Sequence, residues 1–233
     1  MIKAVFFDWS YTLAYGEPGR EEIYDRVLKE LGFEIAPKVL MRGIFAADSL
    51  ILKGDFLSRL TGGSDAEKAQ IGAYYPRLIF KEANLEASDE TVLKVLRAVM
   101  RYYWPPCYRL YDDALPTLKV LKVRGLKLGL VTNASKEQLA TLRDTGLETC
   151  LDLVANAEEA GADKPKPPVF RLALKKAGVS ASEAVHVGDQ YELDILGARG
   201  VGIAPVLIDR YDLYPESEFR PRIRSLTELP DYL

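Results

Sequence analysis

The chain has 233 residues, and its 31 lysines and arginines nearly balance its 34 aspartates and glutamates. A formal charge of −3 gives no basic surface for nucleic acid or for an anionic membrane. One histidine and two cysteines exclude a multi-histidine metal centre, a cysteine-rich zinc site and a disulfide scaffold. An enzyme of this composition has to work with aspartate, lysine, serine and threonine.

The hydropathy pattern predicts a cytoplasmic protein. No apolar run reaches the roughly 18 residues of a membrane span, and the first residues turn acidic too soon for a signal peptide. Three asparagines and three glutamines in a strongly charged chain are typical of a thermophile. These features are compatible with a monomer or a homodimer.

Strands and helices alternate over most of the chain. An apolar run ends at Asp8 and predicts a buried first strand, whereas residues 9–19 predict a loop. Residues 33–104 predict helices, one of them over 65–80. Further strands are predicted over 126–132, 151–155, 184–188 and 202–208, between helices over 114–123, 135–144, 167–177 and 193–199. Such alternation predicts a parallel sheet with right-handed crossovers.

The predicted elements divide the chain into an α/β core and a helical insertion. We expect a Rossmann-like α/β core of residues 1–16 and 105–233, interrupted by a helical domain of residues 17–104. The tail over 211–233 predicts an irregular segment with one short helical turn. The length therefore fits one interrupted domain rather than two domains in series.

Polar side chains follow the predicted strands at the points where the strands end. In an open parallel sheet, ligands bind beyond the carboxyl ends of the strands. The residues found there are Asp8, Ser10, Thr132, Asn133, Lys164, Asp189 and Asp194. Carboxylates suit a hard cation such as Mg²⁺, while a lysine and a hydroxyl suit the oxygens of a phosphate. We therefore expect Mg²⁺ and a phosphorylated or otherwise anionic metabolite at this edge.

Four segments of the chain resemble, in order, the motifs of the haloacid dehalogenase superfamily of hydrolases. They are Asp8–Leu13, Leu130–Asn133, Lys164–Phe170 and Gly188–Ala198. Each segment alone is a weak signal, but all four occur in order at predicted strand ends. The helical insertion is similar to the helical cap that this superfamily places between its first and second motifs. The resemblance covers the whole α/β part and implies a hydrolase.

The resemblance implies a role for each acidic residue. Asp8 would be the nucleophile and would form an aspartyl-phosphate. Mg²⁺ would be held by Asp8, by the backbone carbonyl of Ser10 and by Asp189, with Asp194 as a ligand or as a neighbour that orients the ligands.

The resemblance also implies roles on the substrate side of the site. Thr132 would hydrogen-bond a phosphoryl oxygen, with Asn133 and Ser10 beside it in the substrate-binding region. Lys164 would neutralise charge and orient Asp8. His186 lies inside the fourth strand and is expected to be a buried core histidine rather than a catalytic group.

The first motif departs from the superfamily pattern at two positions. Phosphatases of the family carry a second aspartate two residues after the nucleophile, which acts as general acid and base, and here that position is Ser10. A serine hydroxyl is a poor acid at neutral pH, and general acid–base catalysis typically contributes a factor of about 10²–10⁴. Ser10 therefore predicts slow hydrolysis of ordinary phosphomonoesters. Tyr11 follows where the family commonly has glycine.

Three readings remain for this departure. The chain is an atypical Mg²⁺-dependent phosphatase, a hydrolase of a different bond, or a non-catalytic relative that binds phosphate or a partner. Asp8-Trp9 resembles phosphonoacetaldehyde hydrolase, in which a cap lysine forms a Schiff base, and Lys53 in an apolar stretch is the residue that could serve. Haloacid dehalogenases also lack the second aspartate, but they usually lose the fourth-motif acids, which are intact here. We favour the phosphatase.

Overall fold

The computed structural model describes residues 1–53, 63–102, 107–134, 139, 145–214 and 218–233, and of Lys53 only the backbone. The helix predicted over 135–144 falls outside these ranges except for Leu139, and so does the side chain of Lys53. The chain divides into two compact units, Met1–Glu17 with Cys107–Leu233 and Pro18–Pro106. The first unit is an α/β domain and the second is helical.

The elements follow the chain in this order. The strands are β1 (Ala4–Phe7), β2 (Ala14–Glu17), β3 (Cys107–Leu110), β4 (Lys127–Thr132), β5 (Leu153–Asn156), β6 (Ala184–Gly188), β7 (Ala204–Ile208) and β8 (Arg222–Ile223). The α-helices are α1 (Arg20–Glu30), α2 (Pro37–Lys53), α3 (Asp65–Gly72), α4 (Tyr74–Glu82), α5 (Asp89–Tyr102), α6 (Ala114–Val123), α7 (Ala157–Ala160), α8 (Pro167–Ala177) and α9 (Leu196–Arg199). A π-helical turn covers Tyr191–Ile195, and 3₁₀ turns cover Leu147–Cys150, Ala181–Glu183 and Leu226–Tyr232.

Six parallel strands form the sheet of the first unit, in the order β5-β4-β1-β6-β7-β8. The five strands expected from the sequence are all present within two residues of their predicted bounds. The register places Phe7 opposite Leu130 of β4 and Val187 of β6. The carboxyl ends of these three strands therefore reach the same edge of the sheet. The Rossmann-like α/β core predicted from the sequence is confirmed.

The central strand β1 is buried on both faces, which explains its uninterrupted apolar sequence. Val5 and Phe7 belong to a core cluster with Leu118 of α6, while Phe6 belongs to a second cluster with Phe170 of α8. Helices thus cover both faces of the sheet, and β1 is held rigidly in the middle. Asp8, which directly follows β1, is therefore held in a fixed position as well.

The strands β2 and β3 form a separate antiparallel pair that the sequence did not predict. Their residues are mostly half-buried or exposed and include Gly16, so the apolar alternation that signals a strand is missing. The Arg109 guanidinium pairs with the Glu17 carboxylate across the two strands. This pair of strands stands where the chain leaves the first unit and returns to it.

The second unit packs α2 closely against α4. A Cβ on Gly43 would lie 2.5 Å from the Cα of Ile79, so only glycine permits this approach. The sequence predicted one helix over 65–80, but the structure has a break at Ala73 between α3 and α4. Pro76 in the first turn of α4 explains the break, because its ring would clash with the carbonyl of residue 72 in a continuous helix.

Asp48 is a buried charge that ties three helices of the second unit together. Its carboxylate accepts two hydrogen bonds from the Arg20 guanidinium, at 2.8 and 2.7 Å, and one from the Tyr75 hydroxyl at 2.7 Å. Burial and the Asp48 charge raise the pKa of Tyr75 well above its usual value, so the phenol stays a hydrogen-bond donor.

No described helix is long and apolar enough to cross a membrane. That the second unit acts as a cap stays a prediction.

Asp113 joins the start of α6 to two later segments of the first unit. Its carboxylate accepts two hydrogen bonds from the Arg210 guanidinium, both at 2.8 Å, one from the Ser225 hydroxyl at 2.7 Å and one from the Leu226 amide at 2.9 Å. Burial acts to raise the pKa of Asp113, but these donors outweigh it and lower the pKa below 3.8. Arg210 also donates to the Thr12 carbonyl at 2.8 Å, so this network reaches the loop after β1.

We expect Asp113→Asn to lower the free energy of unfolding by about 1–3 kcal/mol at pH 7, because the Arg210 guanidinium loses a charged partner. A carboxylate with a lowered folded-state pKa stabilises the protein above its unfolded pKa, and this contribution disappears as pH falls through the folded value. The difference between variant and wild type should therefore be constant near neutral pH and shrink as the pH falls below about 4. Urea unfolding measures it, with the exposed neighbour Asp112→Asn as control. A difference that grows on acidification contradicts the assignment.

Candidate active site

Asp8 lies at the end of β1 and is almost completely buried, with 9% of its surface exposed. Its backbone amide donates to the Val187 carbonyl of β6 at 2.9 Å, which continues the sheet register by one residue. The Lys164 ammonium donates to Asp8 Oδ1. The predicted nucleophile and the predicted lysine, which are 156 residues apart in the chain, are therefore in direct contact.

Lys164 bridges two carboxylates. Besides Asp8, its Nζ donates to Asp194 Oδ1 at 2.8 Å, and the lysine side chain is only 4% exposed. Burial acts to lower the pKa of Lys164, but the charges of Asp194 and Asp8 outweigh it and raise the pKa above the usual value. Lys164 is therefore a permanent cation in this site, suited to charge neutralisation and unsuited to donating its proton.

Asp194 accepts hydrogen bonds on both of its oxygens. Oδ1 receives Lys164 Nζ and also His186 Nε2 at 2.9 Å, and Oδ2 receives the Gln190 amide at 3.1 Å. Burial acts to raise the pKa of Asp194, but Lys164 and His186 lower it to about 2. With its oxygens occupied in this way, Asp194 serves first to hold Lys164.

Glycine at position 188 lets Asp194 come close to β6. A Cβ on Gly188 would lie 2.2 Å from Asp194 Cγ and 2.5 Å from Asp194 Oδ2. The π-helical turn Tyr191–Ile195 brings Asp194 back to the sheet five residues after Asp189. The fourth motif thus uses a sharp turn to place the carboxylates of Asp189 and Asp194 at the end of β6. Any larger residue at position 188 would displace this turn.

Asp189 has one occupied oxygen and one that is not. Thr12 Oγ1 donates to Asp189 Oδ1 at 3.0 Å, whereas Asp189 Oδ2 is buried and has no hydrogen-bond partner among the described residues. Burial and the neighbouring charges of Asp8 and Asp194 raise the pKa of Asp189 well above 3.8. Burial also raises the pKa of Asp8, with Lys164 acting in the opposite direction. Neither carboxylate has enough positive charge near it to offset the effect of burial on its pKa.

This cluster fits a divalent magnesium ion. Oxygen atoms of Asp8, Asp189 and Asp194 lie within 4.8 Å of one another, and all three residues are buried. Three carboxylates and one lysine leave an excess of two negative charges, which one divalent cation balances. The unpartnered Asp189 Oδ2 supplies a free ligand atom of the hard oxygen type that Mg²⁺ prefers.

Thr132 and Asn133 end β4 beside the cluster. Thr132 is buried, and its Oγ1 accepts a hydrogen bond from the Ala134 amide at 3.1 Å, so the hydroxyl proton is available for an acceptor. Asn133 instead holds the backbone of Lys164, because its Oδ1 accepts from the Lys164 amide at 2.7 Å and its Nδ2 donates to the Lys164 carbonyl at 3.3 Å. Contact of Asn133 with a substrate stays a prediction.

Ser10 and Tyr11 form a tight turn after the nucleophile. The Tyr11 amide donates to the Ala14 carbonyl at 2.6 Å, and Tyr11 adopts a left-handed φ of 59°. This φ explains why glycine is the usual residue at that position in the superfamily, since non-glycine residues adopt it at a cost. Ser10 is half-buried, and its predicted contact with a metal through the carbonyl oxygen stays a prediction.

The sequence did not predict three contacts of the site. Thr12 was part of the first motif but had no role, and it positions Asp189. Asn133 was expected to face the substrate, and it clamps Lys164. His186 was expected to be a core histidine, and it is buried but also bonds Asp194. A pattern gives the residue types at strand ends, whereas these pairings depend on which side chains meet in space.

The comparisons with known proteins place the chain in a family. A family model described as haloacid dehalogenase-like hydrolase matches residues 2–202. A ribulose-1,5-bisphosphate 5-phosphatase from Halopiger xanaduensis is 44% identical over 217 residues, which cover 90% of this chain and 85% of the relative. A glyceraldehyde 3-phosphate phosphatase from Methanocaldococcus jannaschii is 30% identical over 242 residues, which cover 99% and 96%.

A solved structure shows the same fold. The crystal structure of a HAD phosphatase from Thermococcus onnurineus matches with a TM-score of 0.58 and 30% identity, covering 99% of this chain and 97% of that one. A zebrafish (Danio rerio) relative named only for the family is 33% identical, and the chain spans 63% of its length. Fold and site define an α/β hydrolase with a buried aspartate and lysine at its centre. The chain belongs to the haloacid dehalogenase-like hydrolases, and within them it is phosphatase-like.

We expect Gly188→Ala to lower kcat by about 100-fold or more, because the new Cβ forces Asp194 away and Lys164 loses its second carboxylate. Release of inorganic phosphate measures the effect, and circular dichroism checks that the variant is folded. The control is Gly200→Ala, an exposed position whose Cβ would meet only backbone oxygens at 3.3 Å or more. Near wild-type turnover in Gly188→Ala would show that the position of Asp194 does not matter.

Proposed function

We propose that the protein is a Mg²⁺-dependent phosphatase that hydrolyses a small phosphorylated metabolite through an aspartyl-phosphate on Asp8. The observation that carries the proposal is the contact of the Asp8 carboxylate with a buried, permanently charged Lys164 beside two further carboxylates. Two relatives are named as phosphatases of ribulose 1,5-bisphosphate and of glyceraldehyde 3-phosphate, which supports sugar phosphates as the first substrates to test.

The first step transfers the phosphoryl group to the protein. The Asp8 oxygen that Lys164 leaves unbound attacks phosphorus, and the bond from phosphorus to the leaving oxygen breaks. Lys164 offsets negative charge and fixes the orientation of Asp8, while the Thr132 hydroxyl can donate to a phosphoryl oxygen. The leaving oxygen departs with the bonding electrons and takes up a proton from water.

The second step returns Asp8 to its starting state. A water molecule attacks phosphorus, the bond between phosphorus and the Asp8 oxygen breaks, and inorganic phosphate leaves with the water oxygen. Asp8, Asp189 and Asp194, with Asp189 Oδ2 as the free oxygen, would hold Mg²⁺. When bound, this ion balances the charge of the carboxylates and of the phosphoryl oxygens.

Because position 10 is a serine, we expect departure of the leaving group to be the slow step of the reaction. No carboxylate stands two residues after the nucleophile, so the proton for the leaving oxygen comes from elsewhere or the reaction is slow. Leaving groups that need no proton should therefore react faster than sugar hydroxyls. Acetyl phosphate and p-nitrophenyl phosphate are the appropriate probes.

The test of the proposal is phosphate release by the purified protein with and without Mg²⁺. The panel contains ribulose 1,5-bisphosphate, glyceraldehyde 3-phosphate, acetyl phosphate and p-nitrophenyl phosphate. We expect turnover that requires Mg²⁺ and that falls to background in Asp8→Asn, which keeps the shape but loses the nucleophilic charge. Turnover retained by Asp8→Asn contradicts the nucleophile, and chloride release from a 2-chloroacid in place of phosphate release favours a dehalogenase.

Ser10→Asp should raise kcat on an alkyl phosphate by about 10-fold or more, because it restores a general acid, and should change acetyl phosphate turnover little. The ratio of the two kcat values is the measurement, since it cancels differences in active protein. Ser10→Asn, which has the size of aspartate without its acidity, is the matched control. No change on the alkyl phosphate would show that another group already supplies the proton, and an equal change on both substrates would show that the effect does not depend on the leaving group.

A further inference from the structure

The single histidine of the chain lies next to the catalytic cluster. His186 is on β6, two residues before Gly188, and its side chain is fully buried. Its Nε2 lies 2.9 Å from Asp194 Oδ1, the same oxygen that accepts from Lys164. Its ring meets the Phe170 ring at 90° with 5.2 Å between centroids. The imidazole is therefore fixed in orientation by packing on one side and a hydrogen bond on the other.

The contacts determine which nitrogen of His186 carries the proton. Asp194 Oδ1 already accepts a hydrogen bond from the Lys164 ammonium, so the carboxylate is an acceptor and His186 Nε2 is the donor. His186 Nδ1 is buried and has no hydrogen-bond partner among the described residues. A proton on Nδ1 would be a buried donor without an acceptor, which is costly. The proton therefore lies on Nε2 and Nδ1 carries none.

His186 is one of three donors that bond the Asp194 carboxylate. Its Oδ2 is bonded to the Gln190 amide at its own turn, and its Oδ1 is bonded only to Lys164 and His186 among the described residues. His186 is the rigid one of these two partners, because it lies on a central strand of the sheet, whereas Lys164 reaches the site through a long side chain. A carboxylate fixed by His186 gives the Lys164 ammonium a fixed second partner beside Asp8.

We propose that His186 is a positioning residue, whose Nε2–H holds the Asp194 carboxylate so that Lys164 stays on Asp8. This inference relies on the proposed role of Asp8 as the phosphoryl acceptor. His186 touches neither Asp8 nor a substrate group in the described structure. Its removal should therefore slow the chemical steps and leave substrate binding unchanged.

The kinetic test uses three variants on β6. His186→Leu keeps an apolar side chain in the pocket but has no donor, and kcat should fall about 10–100-fold with KM unchanged, as for other residues that orient a catalytic group. His186→Gln places an amide nitrogen the same number of bonds from Cα as Nε2, so it should recover most of kcat. Val185→Ala removes buried methyl groups from the neighbouring position and should lower thermal stability without lowering kcat.

A spectroscopic test needs no substrate. Because His186 is the only histidine, a long-range ¹H–¹⁵N spectrum of the full protein contains one imidazole and needs no assignment. We expect a protonated Nε2 and an unprotonated Nδ1, with the ¹⁵N shifts of a single fixed tautomer. An Nδ1–H tautomer, or averaging between the two tautomers, overturns the inference whatever the kinetics show.

The outcomes separate the inference from the proposed function. If the wild type shows no Mg²⁺-dependent phosphate release on the panel, the proposed function fails and the inference falls with it. If the wild type is active but His186→Leu keeps its kcat, the function stands and the positioning role is wrong. If kcat falls to the same extent in His186→Leu and His186→Gln, His186 acts by packing its ring against Phe170 and not through its hydrogen bond.

Discussion

The Lys164 ammonium, held between Asp8 and Asp194, is the interaction on which the rest of the site depends. A buried lysine is costly unless its charge is balanced, and here two carboxylates supply that balance. The same pairing lowers the pKa of Asp194 and acts against the rise that burial causes in the pKa of Asp8. Asp189, which Lys164 does not contact, has one oxygen without a hydrogen-bond partner among the described residues, and this oxygen is the proposed ligand of the cation. One positive side chain therefore separates three similar carboxylates into different roles.

The sheet provides the rigidity that this pairing needs. Register between β1, β4 and β6 brings Asp8, Thr132 and Gly188 to one edge, and helices on both faces fix the central strand. Close approach at Gly188 then lets Asp194 fold back onto the strand end. Hydrogen bonds with Thr12, Asn133 and His186 fix Asp189, Lys164 and Asp194 respectively. Asp189, Lys164 and Asp194 are thus each oriented by a partner from another position in the chain.

Under the proposed function, the departure at position 10 affects the leaving-group side of the reaction. Asp8 keeps its lysine partner and its neighbouring carboxylates, whereas a serine stands two residues after it, where the phosphatases of the superfamily carry a second aspartate. The turn that carries Ser10 also holds Tyr11 in a left-handed conformation, which usually favours glycine. A tyrosine in this conformation lowers the folding stability, and this cost lies in the same loop as Ser10.

The sequence by itself determined the α/β class, the central strand and the residue types at four strand ends. It could do so because apolar runs and turn residues are local signals and parallel strands deliver their ends to one edge. Tertiary structure alone decided that Lys164 bonds both Asp8 and Asp194, that Thr12 bonds Asp189 across 177 residues of sequence, and that His186 faces Asp194. It also decided the β2–β3 pair, whose exposed residues lack alternation. A hydrogen bond forms only where donor and acceptor atoms of distant segments come within about 2.7–3.2 Å of each other, and local patterns carry no such information.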